Sequence, residues 1–310
     1  MSRKGPPANL AASVRARLDD LRKRKGLELE LVLSEFAIER LLYRLGTSAY
    51  AGRFVLKGAT LFRLWNDQRG RATWDLDLLG RDEGSVEATS RVMQDVCALP
   101  GKDGLTFPPD RIAAEEIRIP DEFGGVRLRL EAHLGTARIP VQIDIGFGDV
   151  VVPPPSRVRF PVLLDLPVPE ILAYPKETVV AEKFEAMVSK GVTNTRMKDF
   201  YDVDLLARTM EFHGELLVEA LRGTFAHRGF PSEQPVALNP GFLVSPLRAP
   251  AWKAFLRRGR LDVGLDADAL HARVREFLIP VWQAARQELP FKQEWLPGGP
   301  WTPGKANGDP

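Results

Sequence analysis

Two stretches of strict two-residue alternation constrain this chain more than any other feature. In VRLRLEAHL, Val126, Leu128, Leu130, Ala132 and Leu134 take one side, and Arg127, Arg129, Glu131 and His133 the other. In VQIDIGF, Val141, Ile143, Ile145 and Phe147 are the apolar set, opposed by Gln142, Asp144 and Gly146. Successive side chains of a strand point to opposite faces, so each stretch reads as a strand half buried in a core. Gly135 and the short connection after it suit an antiparallel hairpin. The expected result is a sheet with one apolar face covered by helices and one polar face, a natural place for a site.

Helical periodicity flanks this sheet. Residues 9–46 read as two helices broken near Gly26; the second carries Leu33, Phe36, Ala37, Arg40, Leu41 and Arg44 and stops at Gly46. Arg53 to Lys57 (RFVLK) is a short strand running into Gly58, Ala59 and Thr60, after which Leu61, Leu64 and Trp65 mark the buried face of a helix. Pro153, Pro154 and Pro155 form a rigid boundary. Beyond it, helices are expected from about Lys176 to Lys190, ending at Gly191, from about Arg196 to Arg208, and near 215–224 and 267–288. Pro280 should kink or break the last one. The chain thus divides into a mixed α/β domain with leading helices (1–155), a helical domain (156–296) and a tail rich in Pro and Gly (297–310) that is expected to be disordered.

Composition removes several classes of function. With 44% hydrophobic and 27% charged residues, the chain has the balance of a soluble globular protein. No apolar run approaches the roughly 18–20 residues that span a bilayer. The single Cys97 excludes an internal disulfide and a four-cysteine zinc site, and it fits a reducing compartment. The N-terminus has the charges of a signal peptide but not its apolar core, so a cytoplasmic protein is expected. A net charge of +2 is not that of a polycation, yet Arg15, Arg17, Arg22, Lys23, Arg24 and Lys25 crowd the first helix, partly offset by Asp19 and Asp20. These residues either steer an RNA backbone or form a solvated helix face. His133, His213, His227 and His271 are too scattered for a zinc spacing, and there is neither a nucleophile elbow nor a Walker-type loop.

The strongest chemical signal is Asp75-Leu76-Asp77 within RATWDLDLLG. Trp74, Leu76 and Leu78 favour a strand with one buried face, which sends Asp75 and Asp77 together from the other, about 6–7 Å apart. Two such carboxylates suit hard cations. Nucleotide chemistry often uses two magnesium ions roughly 3.5–4 Å apart, which polarise the attacking hydroxyl and neutralise the leaving phosphate. The alternative is a surface loop with spaced aspartates, against which the apolar neighbours argue. Asp144, on the polar face of its own strand, either joins a shared cation or pairs with an arginine such as Arg129. Lys57-Gly58-Ala59-Thr60 lies where a strand meets a helix start, whose N–H groups favour a triphosphate, or else it is simply a tight turn.

The order of strand, glycine-containing helix start, DxD strand and later aspartate strand resembles the nucleotidyltransferase superfamily related to DNA polymerase β. Within it, FVLKGATLFRLW, RATWDLDLLG, VQIDIGF, PKETVVAEKFEAM and RMKDFYDVDLL resemble the AbiEii toxin family of bacterial type IV toxin–antitoxin systems, especially its mycobacterial MenT branch, over about residues 35–210. The resemblance implies a nucleotidyltransferase-fold mixed α/β (α+β) sheet with a helical C-terminal domain and an active site in the cleft between them. It implies an Mg²⁺-dependent enzyme that moves NMP, CMP or another pyrimidine nucleotide, from an NTP (CTP favoured) to the 3′ end of tRNA. That would block translation and growth, under control of a cognate antitoxin. Arg71, Thr73, Asp75 and Asp77 match the second motif, Lys183 the third-motif lysine, and Asp199 the fourth-motif aspartate, with Asp202 a near competitor. Gly58-Ala59 stands where the family often has Gly-Gly or Gly-Ser.

By that correspondence Asp75, Asp77, Lys183 and Asp199 are catalytic, Lys57, Gly58, Thr60, Arg71 and Lys183 hold the nucleotide, and Asp75, Asp77 and Asp144 hold metal. The residues read independently leave some choices open. Lys183 lies between Val180 and Met187 at helical spacing, so its stem borders an apolar face while its ammonium either holds a phosphate or snorkels to water. Asp199 either meets the site or favours its own helix dipole. The guanidinium of Arg71 suits a triphosphate. Thr73 shares a face with Asp75; it is either a β-branched strand residue or a phosphorylation site whose added charge would silence the acids. Two other functions fit the same residues: nucleotide transfer to a protein or small molecule, and an inactive relative that only engages RNA or a partner.

Overall fold

Val14, Leu18 and Leu21 recur at three- and four-residue steps and form the buried face of α1 (Leu10–Lys25). The Asn9 side chain closes its N-terminus by accepting from the Ala12 N–H, and Gly26, in the left-handed conformation at φ 64°, ends it. The next helix, α2 (Leu29–Thr47), runs one residue past Gly46 and is buried on most sides. Charges on such a helix need partners. Arg44 finds them in Asp103, at 2.7 and 3.0 Å, and in the carbonyls of Arg40, Leu99 and Leu105. The structure, a computed structural model, describes residues 9–65, 71–82, 84–117, 124–226, 229–231, 233–262 and 265–304. His227 lies outside them.

The described residues fall into two compact units. The first takes in residues from 1–67, 72–149 and 156–173. Its mixed sheet contains β1 (Phe54–Lys57), β2 (Asp75–Gly80), β3 (Leu105–Thr106), β4 (Ala113–Ile117), β5 (Gly125–Leu134), β6 (Ala137–Phe147), β7 (Ser156–Arg159) and β8 (Glu170–Ala173). The order is β3-β5-β6-β2-β1-β8-β7, with β4 also paired to β5. Leu134 opposite Ala137 leaves Gly135 and Thr136 as the turn of the expected hairpin. Strand β2 runs parallel to β6 and antiparallel to β1. Leu56, Leu76, Leu78, Leu128, Ile143 and Ile145 are fully buried on one face. Each such side chain contributes about 1.5–3 kcal/mol relative to exposure. Helix α2 packs against β6 and β8. Between β1 and β2 the chain makes a 3₁₀ turn, Ala59–Leu61, and the short helix α3 (Phe62–Trp65). Helix α4 (Val86–Ala98), capped by Ser85, was not marked by the sequence pattern.

The second unit takes in residues from 68–71, 150–155 and 174–310. It is built on α5 (Lys176–Lys190), α6 (Met197–Thr209), α7 (Gly214–Phe225), α8 (Ala249–Gly259) and α9 (Ala267–Arg286). Phe184, Phe200, Phe225 and Phe277 are fully or almost fully buried in its core. Helix α9 passes through Pro280 unbroken. The carbonyl that Pro280 leaves without an N–H belongs to Glu276, on the exposed side of the helix where water can serve it.

The segment expected as a disordered tail from 297 is ordered as far as Gly304. Strand β11 (Trp301–Pro303) pairs with β10 (Gln293–Trp295), which pairs in turn with β9 (Phe212–His213). The Trp301 ring stacks on Phe277 at 5.6 Å, and its N–H donates to the Phe277 carbonyl at 3.0 Å. These contacts outweigh the local Pro and Gly content; residues 305–310 lie outside the described set. Among the described residues no helix is long and apolar enough to cross a membrane.

Candidate active site

A row of charged residues crosses the polar face of the first unit's sheet. Strand pairing places Lys57 of β1 beside Asp77 of β2, Asp77 beside Asp144 of β6, and Asp144 beside Arg127 of β5. Neighbours at paired positions share a face, so two acids stand side by side with a cation at each end. Asp75 joins them from two residues earlier on β2 and is exposed. Lys57 reaches past the row to Asp149, with Nζ 2.6 Å from its carboxylate.

Asp144 is gripped by two hydrogen bonds, from Nε and Nη2 of Arg127, each 2.7 Å long. The arginine opposite it is Arg127; Arg129, the partner suggested by the sequence, instead pairs with Glu115 at 2.7 Å. The turn decides this. A two-residue hairpin turn at Gly135 and Thr136 puts residue 127 across from residue 144. Counting outward from that turn would have found Arg127 in the sequence.

Gly58 lies at the end of β1 with φ 73° and ψ −160°, a backbone that side-chain-bearing residues rarely adopt. A Cβ there would overlap the Asp77 carboxylate. The glycine therefore admits both the turn and the close approach of an acid to its backbone. Thr60 is buried beneath this turn, and its hydroxyl donates to the Asp75 carbonyl at 3.3 Å. Thr73 donates to the same carbonyl at 3.4 Å. Trp74, expected on the buried face, is 45% exposed and lies one residue before β2 begins.

The second unit holds a buried ladder of alternating charge. Asp199 and Asp202, one turn apart on α6, are both almost fully buried. Lys183 of α5 lies between them, 2.7 Å from Asp202 and 3.4 Å from Asp199. Arg71 gives two hydrogen bonds of 3.2 Å to Asp202, and Arg196 reaches Asp199 at 2.6 Å. Burial alone would lower the Lys183 pKa, but the carboxylates of Asp202 and Asp199 outweigh it and hold the ammonium's pKa above its usual value. For Asp199, burial works upward and the charges of Lys183 and Arg196 work downward more strongly, leaving its pKa below the usual carboxylate range. Asp202 thus ties Arg71 to Lys183, and Asp199 has its own arginine.

Divalent metal, which the sequence resemblance implies, fits the first unit's acids on donor chemistry. Asp75 and Asp77 offer hard carboxylate oxygens from one strand face, and the missing Cβ of Gly58 lets the Asp77 carboxylate lie directly against the backbone turn. Magnesium is usually held by one or two carboxylates together with substrate phosphates rather than by a closed protein cage. Among the described residues no group of three or more His, Cys, Asp or Glu is placed to hold a metal ion, and Asp144 is already committed to Arg127.

These residues can be set beside known proteins. The family model described as nucleotidyl transferase AbiEii toxin, type IV TA system, matches residues 40–281, a span that includes both charged clusters. No curated protein matches. Two crystal structures from Helicobacter pylori are similar at 15% identity and a TM-score of 0.49. One is JHP933, with 85% of this chain and 94% of that chain covered. The other, assigned provisionally as a nucleotidyltransferase, has 85% and 97% covered. On the strength of the family match, this chain belongs to the AbiEii toxin family, the nucleotidyl transferases of type IV toxin–antitoxin systems.

Proposed function

We propose that this toxin transfers NMP, CMP or another pyrimidine nucleotide, from an NTP to the 3′ end of tRNA, and so arrests translation and growth. The hydroxyl oxygen of the acceptor forms a bond to the α-phosphorus while the bond from that phosphorus to the pyrophosphate oxygen breaks. The hydroxyl proton passes to solvent and pyrophosphate leaves. The observation that carries this reading is the row Lys57–Asp77–Asp144–Arg127 with Asp75 on the same face.

Asp75 and Asp77 are the residues that would hold Mg²⁺. When bound, such an ion polarises the attacking hydroxyl and offsets charge on the leaving phosphates. Lys57 and the turn Gly58–Thr60 are assigned to the nucleotide phosphates, with Thr60 bracing the turn through Asp75. In the second unit, Arg71 and Lys183 are the cations assigned to the nucleotide, and Asp202 holds both in fixed positions. Asp199 meets Lys183 from the other side. Thr73 is the proposed site of inhibitory phosphorylation, since a phosphate there would add negative charge next to Asp75. The setting is the cytoplasm, where NTPs, tRNA and a cognate antitoxin meet the toxin.

The test is incubation with each labelled NTP, Mg²⁺ and total tRNA, with cell protein as a parallel acceptor. Label in tRNA, lost in Asp75→Ala, supports the reading. Label in protein alone redirects it to another acceptor, and toxicity that survives Asp75→Ala removes nucleotide transfer as its cause.

A further inference from the structure

Arg127 is the member of the charged row that no motif picks out. We propose that Arg127 binds the phosphate beside the attacking hydroxyl of the acceptor, which makes the acceptor a polynucleotide 3′ end rather than an isolated hydroxyl. The inference rests on the nucleotidyl-transfer reading above and deepens it.

Three observations carry it. First, position: across the strands the order is Lys57, Asp77, Asp144, Arg127. The turn at Gly58 lies at the Lys57 end, where the nucleotide's leaving phosphates are assigned. In-line displacement puts the entering oxygen opposite the leaving one, so the acceptor approaches from the Arg127 end. Second, unused donors: a guanidinium has five N–H groups in a fixed fork. Asp144 takes one from Nε and one from Nη2. Among the described residues the remaining donors, both on Nη1 and one on Nη2, have no hydrogen-bond partner, and the side chain is 30% exposed. Third, fixity: the two 2.7 Å bonds to Asp144 hold the plane of the guanidinium in place, which reduces the ordering cost of binding an anion. On this view Asp144 is a positioning residue that acts through Arg127.

An acceptor with no phosphate next to its hydroxyl would leave this arginine without a ligand. A polynucleotide end always supplies one, in the phosphodiester of its last linkage.

The experiment compares two acceptors in steady-state transfer assays with the full chain. One is a tRNA with a native last linkage; the other carries a neutral methylphosphonate there. Loss of one charge-assisted contact should raise the acceptor KM of the unaltered protein about tenfold or more and leave the NTP KM unchanged. Arg127→Ala should raise the acceptor KM by a similar factor on native tRNA and show no further penalty from the neutral linkage, while Arg127→Lys recovers part of the loss. A neutral linkage that leaves the unaltered protein's KM unchanged overturns the inference alone, as does an Arg127→Ala variant that changes the NTP KM instead. If the unaltered protein transfers to neither RNA, the tRNA reading falls and this inference falls with it.

Discussion

Nε and Nη2 of Arg71 each lie 3.2 Å from a different oxygen of Asp202, 131 positions along the chain. The same carboxylate also accepts from Lys183 at 2.7 Å. One acid therefore balances two cations in a place with little water. Removing one partner of such a buried group leaves the others uncompensated. Asp202→Asn should cost about 3–5 kcal/mol of stability. Urea unfolding followed by circular dichroism measures it, and a loss below about 1 kcal/mol would show that the ladder is not a structural unit.

Asp75→Ala and Asp77→Ala should each lower nucleotide transfer by on the order of a thousandfold or more, since each removes a carboxylate assigned to the metal. Asp75 is exposed, where a lost contact costs little, so the thermal midpoint of its variant should stay close to that of the unaltered protein. Single-turnover transfer to tRNA checks the first statement and calorimetry the second.

Gly58→Ala tests the turn. The new methyl group would overlap Asp77 and the backbone would be held at positive φ, which together should cost about 1–3 kcal/mol of stability. Because Asp77 must shift, transfer should fall by far more than the stability loss explains. Activity within about threefold of normal would remove Asp77 from its assigned role.

Thr73→Glu should reduce transfer by about tenfold or more by placing charge next to Asp75, whereas Thr73→Val should remain active. The pair of variants separates charge from the loss of the hydroxyl's bond to the Asp75 carbonyl. Equal activity in both would count against phosphorylation at this position as a brake.

Glu39 supplies a pH dependence. Burial raises its pKa, only partly offset by Arg40, the Leu163 N–H and Arg63, and it is pushed up to about 7 from an ordinary 4.5. The folded state therefore keeps this proton longer than the unfolded chain does. The resulting stability is fully present below about pH 4.5 and is lost as pH rises through about 7, a change on the order of 3 kcal/mol. Thermal midpoints between pH 5 and 8 should fall with a slope that Glu39→Gln flattens; an unchanged slope in that variant assigns the effect elsewhere.

The hairpin was legible in the sequence because Val126 to Leu134 and Val141 to Phe147 alternate without a fault, and each apolar member lies inside or near the core. The carboxylates of β2 were legible for the same reason: Leu76 and Leu78 fix which way Asp75 and Asp77 point. What alternation does not give is cross-strand register; that comes from the turn at Gly135 and Thr136, which sets Arg127 and not Arg129 opposite Asp144. The ladder around Lys183 depends on Arg71, more than a hundred residues upstream, and no local pattern announces such a meeting. The order beyond Pro297 was missed because it comes from the contacts of one aromatic ring, which composition does not register.

That ring has a practical consequence for handling the protein. Trimming the chain back past Pro303, a natural choice when an end looks loose, would strip the indole of Trp301 from Phe277 and unpair the strand that holds Trp295. The damage would surface far from the cut, as loosened packing of α9, so an affinity handle is better placed after Gly304 than in exchange for what precedes it.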